Sequence, residues 1–241
     1  MFVDSLQIAW GLLVSFDPGL YEVVARSLAL STIACALACL FGLSAGSFLA
    51  LRDFRGRQAL LTILNTSLAL PSVVVGLAVY LLLSRSGPLG FLGWLFSFKA
   101  MVFAQTILVL PVVTALTRQV ISQADKLQGE ALRSMGAGVF VRACLLIWNE
   151  RYALITVVLT GFGRAVSEVG AVMIVGGNME GFTRVMTTSI ALETSKGELP
   201  IALGLGIVLL VVVLALNILM GWVVRAGRAD GMAAEAGRAP A

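Results

Sequence analysis

Arg164 and Glu168 are the residues of this chain whose types and spacing are best suited to chemistry. They stand four apart, one helical turn, within a stretch from Tyr152 to about Gly176 that is otherwise apolar enough to cross a bilayer. Ionisable groups at membrane depth are costly, and function is the default reading for them. An arginine facing a path would attract a tetrahedral dianion, but a carboxylate beside it would repel one. The pair therefore reads either as a path contact or as a structural ion pair steadying a helix or subunit contact. The structural reading is the favoured one.

Other chemistries are excluded by composition. The 241 residues contain no histidine. A HExxH zinc site, a serine–histidine nucleophile and a His-ligated haem all need residues that are missing. Cys35 and Cys39 lie four apart on one expected helix, where parallel side chains make a poor disulfide, and Cys144 stands in an apolar run. All three read as small hydrophobes. The three lysines, Lys99, Lys126 and Lys196, belong to no G-x-x-x-x-G-K-[ST] phosphate loop, so the chain cannot hydrolyse ATP alone.

The elements that must position Arg164 and Glu168 follow from the apolar runs. The chain is 59% hydrophobic and only 12% charged, against about 25% charged residues in a soluble domain. Mean hydropathy is +0.98. These values define an all-α integral membrane protein. Long runs with few or no charges place spans at about 23–51, 60–83, 100–117 and 200–224, and a further span at about 152–176 despite Arg164 and Glu168. The stretch Ser5 to Phe16 is too short to span and reads as an interfacial helix, with a sixth span as the alternative. One transmembrane domain, 1–225, is followed by a small, polar tail, 226–241, expected to be disordered. Pro71 and Pro111 fall inside spans two and three, where each can kink its helix as a hinge or as a static packing feature.

Basic residues set the orientation. Arg52, Arg55, Arg57, Arg118, Lys126, Arg133, Arg142, Arg151, Arg225, Arg228 and Arg238 fall on one side. Only Arg85, Lys99, Arg184 and Lys196 fall on the other. The positive-inside rule puts the segment 118–151 and the C-terminus in the cytoplasm and the N-terminus outside. With lipid as the solvent, the net charge of +4 reads as this asymmetry and not as a nucleic-acid surface.

The cytoplasmic segment is too long for a simple connector. Ala124, Leu127, Ala131 and Met135 form one helical stripe. Gly136 and Gly138 are expected to end that helix through left-handed backbone. The apolar run Val139–Trp148, with Arg142 inside it, gives a second short helix. By pattern alone, such a pair lies as readily on the protein's own helix ends or on lipid headgroups as on a partner.

The same residues carry a family resemblance. "EALRSMGAGVFVRACLLIW" resembles the EAA loop of ABC import permeases, over 124–148. Glu130, Ala131 and Gly136 match that pattern in type and spacing. Leu132 replaces its third alanine, Leu146 its isoleucine, and Trp148-Asn149 its Leu-Pro. The tract "VGAVMIVGGNMEGFTRVMTTSIALETSKG" and the opening "SFDPGLYEV" resemble the oxyanion branch, closest to tungstate permeases. The resemblance implies a permease homodimer in the bacterial cytoplasmic (inner) membrane. Its partners would be an ATPase dimer that binds ATP and Mg, and an extracytoplasmic oxyanion-binding protein. It implies that Glu130 offers a carboxylate to the ATPase, Ala131 allows close approach and Gly136 makes the bend. This chain itself would need no cofactor and would be no enzyme. Tungstate is the expected cargo, with molybdate or sulfate as alternatives. An ion-coupled secondary transporter and a membrane enzyme are the readings from other classes.

Span two carries Thr62, Asn65, Thr66 and Ser72, and span four Thr156, Thr160 and Ser167. These residues line a polar path or hydrogen-bond between helices, and the second use is favoured. The outer loop, 177–200, is expected to hold a short helix from about Thr183 to Thr194, with Gly176, Gly177 and Gly181 supplying backbone freedom. The resemblance makes that loop a docking surface for the binding protein.

Overall fold

The computed structural model describes the backbone of residues 10–11 and 18–236. The expected interfacial helix falls outside the described residues except for 10–11. The described chain is helical throughout. Its elements are α1 (Pro18–Leu51), α2 (Arg57–Ser67), α3 (Ser72–Leu83), α4 (Phe98–Ser134), α5 (Val139–Asn149), α6 (Arg151–Val166), α7 (Gly170–Gly176), α8 (Met186–Lys196) and α9 (Leu199–Ala236).

Three helices, α1, α4 and α9, are individually long and apolar enough to cross a membrane. α4 has 37 residues, which is about 55 Å of helix against a hydrocarbon core of about 30 Å. It therefore projects far beyond the bilayer. Its first turn is capped by Ser97, whose hydroxyl accepts from the Ala100 amide. Pro111 sits inside α4, and the helix continues through it.

The other two expected spans are broken. α2 and α3 meet at 104°. Pro71 occupies the break with ψ 128, as the N-cap of α3. It is thus a helix boundary and not a kink within one helix, because proline disfavours helical backbone in the residue before it and lacks an N–H. The fourth expected span, 152–176, is interrupted at 167–169 between α6 and α7. The second halves of the two broken segments, α3 and α7, pack on each other. The approach is close: a Cβ on Gly76 would stand 2.7 Å from Ala171 Cα, and one on Gly170 2.8 Å from Ser72 Oγ. Small residues let helix backbones meet in the absence of water.

α1 and α4 form the central seam. Gly42 and Gly46 make it possible, since a Cβ on Gly46 would lie 2.6 Å from the Thr114 carbonyl oxygen. Two apolar clusters flank this seam. One gathers Leu30, Val79, Met101, Ala104 and Val172. The other gathers Val109, Val113, Ile121, Leu146 and Leu154. By contrast α9 is mostly uncovered, with Leu210, Leu214 and Trp222 exposed. Such surface suits a lipid solvent, where exposure of leucine carries no penalty. α9 also runs on to Ala236, past the expected boundary at 225. The alanines of "RADGMAAEA" favour helix, so the stretch expected to be disordered is helical up to residue 236.

Candidate functional site: a helical elbow and a broken span

The segment 124–148 differs from two separate short helices. Its first half is the projecting end of α4, unbroken through Ser134. No proline or left-handed residue interrupts it, and Gln, Ala, Lys, Leu and Glu all favour helix. Gly136 then ends it with φ 78. The Gly136 amide donates to the Arg133 carbonyl and the Ala137 amide to Leu132, which is a glycine-terminated helix end. Gly138 was expected to share that role, but it has φ −63 and ψ 164 and serves as the N-cap of α5. Only one of the two glycines needs left-handed backbone.

Glu130, Ala131 and Gly136 all lie exposed at this elbow. α5 presents a second exposed surface. Phe140 is 81% and Trp148 68% exposed, with Val141 and Leu145 between them on the same face. The opposite face is anchored. Leu146 is wholly buried in the cluster formed with Ile121 and Leu154. Arg142, also buried, ion-pairs with Asp125 of α4, Nε to Oδ1 2.9 Å. Its Nη2 donates to the Leu51 carbonyl at the end of α1, at 3.2 Å.

The far end of α5 closes without proline. Asn149 donates from Nδ2 to Gln128 Oε1 at 3.0 Å, and the Arg151 guanidinium lies 5.2 Å from the Trp148 ring centre. Glu150 both ends α5 and starts α6, and the two helices turn through 78°.

Arg164 and Glu168 sit at the other feature, the break between α6 and α7. Arg164 Nη1 donates to Glu168 Oε2 at 2.7 Å. The two side chains differ in exposure, 37% for Arg164 and 3% for Glu168. Glu168 Oε1 also accepts from the Ala171 amide at 3.2 Å, and its carbonyl accepts from Thr187 Oγ1 at 2.8 Å. The freed backbone groups of the break are thus satisfied within the protein, as membrane depth requires. Glu168 thus makes contacts on both sides of the break through its carboxylate and its carbonyl. Gln105, buried on α4, donates from Nε2 to the Ala165 carbonyl beside it.

The candidate path hydroxyls are spent locally. Thr62, Thr66, Thr156, Thr160 and Ser167 each donate to a carbonyl three or four residues earlier. Ser72 lies under Gly170.

At the opposite end, the outer helix α8 starts at Met186, later than expected. Gly177 and Gly181 have φ 71 and 75. Gly176, expected to act with them, belongs to α7 and packs on Met101. Arg26 of α1 ties this loop down by donating to the Gly181 and Arg184 carbonyls, at 2.8 and 3.1 Å.

Asp125, Arg142, Gln105 and the Gly42–Gly46 pair were not singled out from sequence as carrying a role. Signals for two of them were present. G-x-x-x-G in an apolar run marks close helix packing, and a lone arginine within Val139–Trp148 calls for a buried partner. Among the described residues, no three His, Cys, Asp or Glu side chains gather as a metal site would need.

A bundle of long apolar helices with a projecting elbow and an exposed apolar face on α5 has the build of an integral membrane protein. Residues 40–228 match the family described as binding-protein-dependent transport system inner membrane component, and the chain belongs to that family of ABC-transporter permeases. It is 41% identical over 214 residues to the tungstate uptake system permease protein TupB of Peptoclostridium acidaminophilum, covering 89% of this chain and 94% of that one. A probable anion ABC transporter permease protein of Haloferax volcanii is 40% identical, over 83% of this chain and 88% of its own. The sulfate transport system permease protein CysW of Synechocystis is 30% identical, over 80% and 72%. Family membership makes the chain a multi-pass inner-membrane protein and sets aside the ion-coupled and enzymatic readings.

Proposed function

We propose that this chain is the permease of an ATP-driven importer that carries tungstate inward. Support comes from the two tungstate uptake permeases, 41% and 38% identical over 89% of this chain each. In this reading two copies form the path. The exposed elbow of Glu130, Ala131 and Gly136, with the apolar face of α5, seats in an ATPase subunit that binds ATP and Mg. The eleven basic residues from Arg52 to Arg238 on the elbow's side keep that elbow and the C-terminus in the cytoplasm and the N-terminus outside. The loop between α7 and α9 receives an external oxyanion-binding protein. Arg164, ion-paired with Glu168 but 37% exposed beside the break, is a candidate dianion contact through its open edge, while Glu168 holds the break. Pro111 and the Pro71 break are candidate hinges.

A second reading has sulfate or molybdate as cargo. Sulfate has a specific observation behind it, the sulfate permeases at 30–32% identity. The experiment is uptake into vesicles holding the permease with its co-purified ATPase and binding protein. ATP-dependent tungstate uptake that outcompetes sulfate and molybdate is expected. Failure of any ATPase to co-purify, or uptake driven by an ion gradient alone, would sink the assignment.

A further inference from the structure

We infer that the Asp125–Arg142 pair is the strut that makes docking helix α5 move as one piece with the ends of α1 and α4. The inference rests on the reading that α5 docks on an ATPase, and it concerns what happens behind the docking face. Arg142 leaves α5 on the side away from Phe140, Val141 and Trp148. One guanidinium reaches two different spans, Asp125 on α4 and the last carbonyl of α1. Both charged side chains are largely covered, 6% exposed for Arg142 and 13% for Asp125.

Leu146 already holds α5 on the core by apolar contact. Apolar contact is non-directional, so it resists separation but resists sliding poorly. The hydrogen bond from Arg142 Nη2 to the Leu51 carbonyl is directional, and the ion pair with Asp125 draws α5 onto α4, so the two together fix position along and across the helix. Burying the pair gains little stability over an apolar substitute, which leaves direction as what it adds. α4 is also shaped for the pair. A Cβ on Gly129 would stand 2.4 Å from Asp125 Oδ1, so the missing side chain at 129 is the space the carboxylate occupies. Arg133 holds the other carboxylate oxygen at 3.2 Å. Asp125 and Arg142 are thus positioning residues. They touch no cargo, and they convert a push on α5 into movement of α1 and α4.

The test uses the whole importer in vesicles, with tungstate as the probe and both ATP hydrolysis and uptake measured. Asp125→Asn removes the charge, and Gly129→Ala displaces the carboxylate while keeping both charges. Lys126→Gln, on the neighbouring exposed position, is the control. For Asp125→Asn the complex should stay assembled and hydrolyse ATP near the wild-type rate, with uptake per ATP falling about tenfold, within the usual range of coupling between sites. Gly129→Ala should give a smaller fall in the same ratio. An unchanged ratio in both variants overturns the strut. So does joint loss of assembly, hydrolysis and uptake, since the pair would then only shape the docking surface. A wild-type complex with no ATP-driven uptake removes the functional reading and the strut with it, whereas a fully coupled Asp125→Asn complex removes the strut alone.

Discussion

Arg142 approaches Asp125 to 2.9 Å, and Arg164 approaches Glu168 to 2.7 Å. The two pairs are alike in chemistry and differ in what they join. Asp125 and Arg142 come from separate helices, and both are covered. Arg164 and Glu168 are neighbours on one segment, and the arginine is half out. The first pair can therefore hold two elements together, while the second can only shape the segment that contains it. The Glu168 carboxylate does so by accepting from the Ala171 amide across the break, while its backbone carbonyl separately accepts from Thr187 of α8. The difference shows that distance alone does not assign a role to an ion pair. Sequence separation and the burial of each partner decide it.

This contrast can be tested by removing one partner at a time. Arg142→Met takes from Asp125 its covered partner, leaves it only the exposed Arg133, and is expected to cost about 3 kcal/mol, read from denaturant unfolding in micelles. Arg164→Met leaves Glu168 its Ala171 donor and should cost less, about 1–3 kcal/mol, in the same assay. The reverse order would break the contrast. Gly136→Val forces a branched side chain into left-handed backbone at about 1–2 kcal/mol. Gly138→Ala, at a position with ordinary φ, should stay within about 0.5 kcal/mol. Thermal midpoints of the two glycine variants check that asymmetry. Thr187→Val removes the donor to the Glu168 carbonyl and should cost about 1 kcal/mol. Faster hydrogen exchange of the amides at 168–171 is the local readout for that variant.

Much of the fold was legible because lipid leaves a simple mark on sequence. Charge-free runs located α1, α4 and α9, since a charge within them would meet hydrocarbon. Gly136 was legible for a similar reason, because its place after a helical stripe calls for a left-handed residue. The breaks at Pro71 and at 167–169 were not legible. Both lie inside runs that are apolar enough to span, and hydropathy averages over the backbone conformation that makes the break. Gly138 was misread because spacing does not distinguish a glycine that ends one helix from one that starts the next.

The candidate site divides in the same way. Glu130, Ala131 and Gly136 could be placed at a helix end from their order, and all three are exposed there. Asp125 and Arg142 could not be paired, as 17 positions and the left-handed turn at Gly136 separate them. Likewise nothing in the order of residues tells that Glu168 is covered while Arg164 is not.

The sequence by itself determined that this chain is an α-helical membrane protein, which runs are apolar enough to cross a bilayer, and that it carries no phosphate-loop motif. Those are properties of composition and local order, set by the cost of charge in lipid and the absence of a phosphate loop. The tertiary structure alone decided that spans two and four are broken, that α4 carries the elbow as its own extension, and that Arg142 locks α5 to two spans. These depend on which distant backbones come close enough to touch. Here that was set by glycines at 42, 46 and 76, whose missing side chains leave the room.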